Sequence, residues 1–177
     1  ALEGPSPDAA SQAAPAPFVA LLGDDREGAL AELLAASGAE IRPDDGEIPL
    51  LAAPLGEDAS AFAARTGADH RRLLAVDTSV PADKRITIMA PPGGDPGLTA
   101  ALLARLALSG AKLTLIKDSP GFIAQRIRAM VANLGCEMAQ IGIASPADID
   151  TAMTLGLNYP QGPLALADAM GPDSVMT

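Results

Sequence analysis

The sequence predicts an α/β domain, parallel strands covered by helices, followed by a smaller all-helical domain. Two observations lead there. From Phe18 to Ile116, short apolar runs alternate with alanine- and leucine-rich stretches of helical period, the pattern of strands joined by crossover helices. Beyond Lys117 the period is helical throughout. A length of 177 residues gives room for one ordinary domain or two small ones.

The elements follow in order. Residues 1–17 are small, polar and proline-rich, cannot offset the entropy of being ordered, and read as a linker. Phe18 to Leu22 reads as a strand, then a glycine turn, then a helix over Ala29 to Ala36 stopped by Gly38. The theme recurs with an apolar run at Ile48 to Leu55, a helix at Ala59 to Arg65 and a strand at Leu73 to Val76. A strand at Ile86 to Met89, a helix at Leu98 to Leu108 and a strand at Lys112 to Ile116 complete a first domain over 18–116. In the second domain, 117–177, Ile123, Ile127, Met130, Val131, Leu134, Met138 and Ile141 fall on one face of a helix, with Ser119 as its cap and Pro120 in its first turn. Ser145 and Asp148 form a capping box for a second helix that Gly156 stops. A third helix runs from Leu164 to Met170, and a fourth starts after Asp173 and is truncated by the end of the chain. The apolar face of the first of these helices is longer than three short helices can cover.

Twelve Lys and Arg against 22 Asp and Glu leave a net charge of −10, which repels nucleic-acid phosphates and anionic lipid. No apolar stretch approaches the roughly 20 residues of a membrane span, so a soluble protein with no nucleic-acid or membrane partner is expected. The single cysteine, Cys136, excludes an internal disulfide and fits a reducing compartment, the cytoplasm by default. The chain opens with Ala1 in place of Met and shows no signal-peptide pattern, giving the expectation that it is cut from something longer.

After the first strand, GDDREG stands where a dinucleotide-binding Rossmann domain carries G-x-G-x-x-G, framed by Gly23, Asp25 and Gly28. The middle glycine lets backbone amides approach a diphosphate; a carboxylate there blocks and repels it. At about 4 Å and an effective dielectric of about 20, each like-charge pair costs roughly 4 kcal/mol, about three decades in affinity. The loop is therefore degenerate: a solvated turn whose acids favour the helix N-terminus. No cofactor is expected on this chain, and Asp44 and Asp45, near the place of a ribose-binding acid, read as surface turn residues. The only histidine, His70, sits in a charged DHRRLL loop, and Cys136 reads as a buried small thiol with no histidine to activate it. No metal-ligand spacing occurs, and no residue is assigned as catalytic.

The segment DSPGFIAQR, the ASPADID stretch and the closing GLNYPQGP resemble the C-terminal helical domain of 3-hydroxyacyl-CoA dehydrogenases, almost continuously from Lys117 to Gly171. The NYP and AQR wording is most similar to the second copy of that domain in long two-copy members, including those acting on 3-hydroxybutyryl-CoA and 3-hydroxyadipyl-CoA. The resemblance implies a degenerate Rossmann-like domain followed by an all-α domain of the 6-phosphogluconate-dehydrogenase C-terminal-like type. It implies NAD and an acyl-CoA substrate for the parent oxidoreductase of fatty-acid or related metabolism. It also implies an upstream catalytic domain as partner, and homo-oligomers formed through the helical domain. Where the family places an asparagine beside substrate, this chain has Gln125, with Arg126 next to it, and these two are the candidate substrate-binding residues. A displacement of about 1 Å at a reacting centre can cost about a hundredfold, and the family's H-F-F-N-P type segment has no counterpart in ITIMAPP. The expectation is an inactive scaffold; an acyl-CoA-binding or regulatory module is the alternative. In that reading Gly121 permits close helix packing, Arg126 anchors its helix to a loop, and Gly156, Gly162 and Pro163 set turns.

Overall fold

A computed structural model describes residues 12–23, 25, 28–81 and 85–171. The chain divides after Phe122 into two compact units, each with its own set of elements.

Unit 1 holds β1 (Phe18–Leu22), α1 (Ala29–Ser37), β2 (Glu40–Ile41), β3 (Leu50–Ala52), α2 (Ala59–Thr66), β4 (Leu73–Val76), β5 (Arg85–Ala90), α3 (Pro96–Ala107) and β6 (Lys112–Lys117). The strands form one sheet in the order β2-β1-β3-β4-β5-β6. Period-2 alternation sends Val19, Leu51, Leu74, Val76, Ile86 and Ile88 to the face packed by Leu30, Leu33 and Leu34 of α1 and Leu102, Leu103 and Leu106 of α3. Ala20, Leu50, Ala52, Leu73, Ala75 and Met89 face the other way, against Ala59, Phe62 and Ala63 of α2. Both faces are covered, so the central strands read as continuous apolar runs.

The expectation of an all-parallel sheet is corrected: β4 and β5 pair antiparallel, with Ala75 opposite Met89 and Val76 opposite Ile88. Only residues 77–84 join them, too few for a parallel crossover, which takes about a dozen or more. The sheet is mixed, with β5 and β6 parallel to each other. The two-residue edge strand β2 escapes the sequence reading because two exposed residues carry no apolar period. The end of the expected linker is attached: Ala16 is buried, its N–H donates to the Ala101 carbonyl at 3.0 Å, and Arg105 Nε donates to the Ala16 carbonyl at 2.6 Å.

Unit 2 holds α4 (Ala124–Gln140), α5 (Pro146–Leu157) and α6 (Pro163–Met170), packed on one another. Ser119 does not cap α4, and Pro120 is not in its first turn. Gly121 at φ 71° and Phe122 at φ 47° are left-handed, which a right-handed helix cannot include, so α4 starts at Ala124. Ser145 does cap α5, accepting from the Asp148 N–H at 3.2 Å while its hydroxyl donates to the Asp148 carboxylate at 2.6 Å. Gly156 lies inside α5, and the stop is Asn158, left-handed at φ 56°. The expected fourth helix falls outside the described residues.

The apolar face of α4 is left largely uncovered, with only Val131 and Met138 of the seven expected residues half-buried. Gln125, Ala132 and Gly135 are buried. The stripe Ile123, Ile127, Met130, Leu134 and Ile141 is more than half exposed at every position, Met130 at 63%. Small residues face the neighbours because α6 crosses α4 closely: a Cβ on Gly135 would lie 2.5 Å from Pro163 Cβ.

Candidate functional site

In an open α/β sheet, ligands bind at the carboxyl ends of the strands where the strand order reverses. Here that place is β1, with β2 on one side and β3 on the other. The loop after β1 turns through Gly23, at φ 79°, and Gly28, at φ 72°, into α1.

Gly28 provides no side-chain cap for α1. Asp25 does so instead: Oδ1 accepts the N–H of Leu30 at 2.8 Å and Oδ2 accepts the N–H of Ala31 at 2.9 Å. These are among the first N–H groups of the helix, which have no intrahelical acceptor and are the donors a phosphate uses at such a turn. The carboxylate therefore does more than repel an incoming diphosphate, because it already holds its hydrogen-bond donors. The expectation that the acids of this turn favour the helix N-terminus holds for Asp25, and that of a solvated turn is corrected only in that Asp25 is half-buried.

Beside this turn is a cavity of about 230 Å³ lined by Gly23, Ala53, Pro54, Leu55, Glu57, Phe62, Arg65 and Thr66. It is smaller than the ~300–1,000 Å³ typical of small-molecule sites. The Phe62 ring closes on the turn so tightly that a Cβ at Gly23 would lie 3.2 Å from its Cζ. Arg65 pairs with Glu57 at 2.6 Å, which raises the guanidinium's pKa above its ordinary value. These residues do not fit a dinucleotide: the helix N-terminus is filled by Asp25, and an aromatic ring stands against the turn.

The remaining sequence candidates are dispersed. Asp44 is bound to Arg72 at 2.8 and 3.1 Å and to the Gly46 N–H at 2.9 Å, and Arg72, whose side chain is 10% exposed, also donates to the Ile48 carbonyl at 2.7 Å. The Arg72 hydrogen bond, more than any other cause, holds the Asp44 carboxyl below the usual range. Asp45 accepts the N–H groups of Glu47 and Ile48 and is committed to its own loop, while Asp44 is divided between its loop and Arg72. His70 is exposed. Cys136 is exposed too, which corrects the expectation of a buried thiol: it follows Gly135, and the helix turn that aims Gly135 at α6 rotates Cys136 away. Gln125 is 5% exposed and the adjacent Arg126 is exposed, so the two do not share an accessible face. Among the described residues no group of three His, Cys, Asp or Glu is placed to hold a metal ion.

Two acids that sequence reasoning passed over are structurally prominent. Asp150 on α5 caps α6, its oxygens accepting the N–H groups of Leu164 at 2.8 Å and Ala165 at 3.0 Å. Asp118 accepts the N–H groups of Ala59 and Ser60 at the start of α2. Both stand inside the motifs DSPGF and ADID, so the sequence signal was present without its meaning.

The class is thus a Rossmann-like α/β unit with a self-capped nucleotide turn, joined to an all-helical unit. Residues 121–177 match the family described as 3-hydroxyacyl-CoA dehydrogenase, C-terminal domain. The 3-hydroxyadipyl-CoA dehydrogenase of Escherichia coli (strain K12) is 38% identical over 122 residues, 69% of this chain and 25% of that protein. A match of that length extends well into unit 1. The 3-hydroxybutyryl-CoA dehydrogenase of Clostridioides difficile is 44% identical over 61 residues, 34% of this chain and 22% of that one. Among solved structures, 3-hydroxybutyryl-CoA dehydrogenase from E. coli K12 superposes with a TM-score of 0.61 at 34% identity, covering 76% of this chain and 28% of the other. FadB2 of M. tuberculosis shares the fold at a TM-score of 0.67 and 16% identity, over 92% of this chain and 85% of that one. Residues 121–177 belong to the 3-hydroxyacyl-CoA dehydrogenase C-terminal domain family. The chain spans about a quarter of the length of the curated relatives named here.

Proposed function

We propose that this chain is the C-terminal portion of an NAD-dependent 3-hydroxyacyl-CoA dehydrogenase that oxidises 3-hydroxyacyl-CoA to 3-oxoacyl-CoA, with hydride transfer performed by residues upstream. Unit 1 is then a degenerate Rossmann-like domain that binds no NAD. Unit 2, in the 6-phosphogluconate-dehydrogenase C-terminal-like reading, is scaffold. The observation that carries this proposal is the Asp25 carboxylate on the N–H groups of Leu30 and Ala31, because two donors that a coenzyme's phosphate would use at this turn are already held by the chain's own acid. The exposed α4 stripe supports the scaffold half. Ile123, Ile127, Met130 and Leu134 are spaced four, three and four apart, the seam that packs helix on helix, and the occupant proposed for it is a second helical unit of the same kind.

The test is acetoacetyl-CoA-dependent oxidation of NADH by the 177-residue chain. No turnover above the protein-free rate is expected. Measurable turnover that a substitution in this chain abolishes overturns the scaffold reading.

A further inference from the structure

The motif DSPGF, which precedes α4, is tied by several bonds to the start of α2. Asp118 Oδ1 accepts the Ala59 N–H at 2.8 Å, and its Oδ2 accepts the Ser60 N–H at 3.2 Å and the Ser60 hydroxyl. Three residues on, the Gly121 N–H donates to the Glu57 carbonyl at 3.3 Å. Phe122 is 2% exposed, in the core cluster that holds Ala59, Phe62 and Ala63. The hydrogen bonds of Asp118 and Gly121 end on residues 57–60, and the segment is also held to β5, where the Ser119 N–H donates to Met89 Sδ at 3.0 Å. Beyond them α4 begins at Ala124.

Gly121 at φ 71° and Phe122 at φ 47° are consecutive left-handed residues. A residue with a side chain is disfavoured there and stays only where its surroundings over-determine it. We propose that residues 118–122 are a strap that ties the connection between the two units to unit 1, with Asp118 as its latch, so that the freedom of the connection is confined to the step from Phe122 to Ala124. The strap is held against backbone strain, and releasing the latch lets it leave.

The α2 N-terminus is capped by two acids on different donors, Asp118 taking the N–H groups of Ala59 and Ser60. Asp58 is the other, its carboxylate accepting the Ala61 N–H at 2.6 Å. The two acids therefore separate the two roles: removing either weakens the α2 terminus, and only removing Asp118 frees the strap.

The test is residue-resolved amide hydrogen exchange on the full chain, comparing Asp118→Ala with Asp58→Ala. In Asp118→Ala, exchange of the Gly121 amide is expected to accelerate about tenfold or more relative to the interior amides of α2, the size of effect a lost charged hydrogen bond produces in a local opening. In Asp58→Ala, α2 amides accelerate and Gly121 does not follow. An unchanged Gly121 in Asp118→Ala, or an equal acceleration in both variants, overturns the proposal. Should the alanine variant fail to fold, Asp118→Asn, which keeps the shape and loses the charge, is read in the same way and by the same criteria.

Discussion

Replacing Gly135 with alanine tests the packing of unit 2. A Cβ at Gly135 would stand 2.5 Å from Pro163 Cβ, 2.9 Å from Pro163 Cγ and 3.2 Å from Leu164 Cδ2. Carbon atoms in contact prefer about 3.5–4.0 Å, so α4 and α6 must part by about 1 Å. Pro163 cannot swing aside, because its ring is part of the backbone at the first position of α6. Overpacking of this kind costs about 1–3 kcal/mol. Alanine returns about 0.8–1 kcal/mol in helix propensity. The separation also stretches the Asp150 bonds to Leu164 and Ala165, now 2.8 and 3.0 Å. A net destabilisation of about 1–2 kcal/mol is expected from these terms.

Gly156→Ala is the matched control. It lies inside α5 with nothing within 4 Å of its Cβ position, so the propensity gain stands alone and the variant is stabilised by up to about 1 kcal/mol. Urea unfolding followed by the fluorescence of Tyr159, the only tyrosine in a chain without tryptophan, reports on unit 2 for both variants. A Gly135→Ala protein as stable as the parent, or a destabilised Gly156→Ala, refutes the packing account.

Two further outcomes are expected. In unit 1, the Asp69 carboxyl is held at about 2, chiefly by the Arg71 side-chain hydrogen bond, and Asp44 and Asp45 are also lowered, by Arg72 and by the N–H groups of Glu47 and Ile48. Groups lowered in the folded state stabilise above their unfolded value and lose that contribution as pH falls, so the urea midpoint should hold near neutrality and decline from 3.8 towards about 2; Arg71→Gln should flatten the decline, and an unchanged slope would count against Asp69 as its source. On α4, Met130→Asp at the middle of the exposed stripe should shift light scattering towards monomer, whereas a parent chain that is already strictly monomeric removes the case for a second helical unit on that face.

Most of the element order was legible because burial on both sheet faces writes uninterrupted apolar runs such as LLAV in β4 and FVALL in β1. Strand direction was less legible: the antiparallel step to β5 is a matter of connection length, which residues 77–84 decide and no periodicity records. In α4 the uncovered apolar face was legible from its length, whereas the small residues that pack against the neighbouring helices were not. The pattern of large apolar residues marks the face that wants a partner, and Gly135 and Ala132 mark the face that already has one. At the turn after β1, the sequence showed that Asp25 stands in the wrong place for a diphosphate. That its oxygens take the N–H groups of Leu30 and Ala31, five and six residues away, depended on how the loop closes. Gln125 was singled out by position in a motif, and its burial came from the rotation of α4, which starts four residues later than Pro120 suggested.

The central claim is that a resident carboxylate already occupies the place of a coenzyme's diphosphate. The most direct measurement is an NMR titration of the chain with NADH, following the backbone amide signals of Leu30 and Ala31. The expected result is that neither signal moves saturably; saturable shifts of both, with a dissociation constant in the micromolar range, would contradict it.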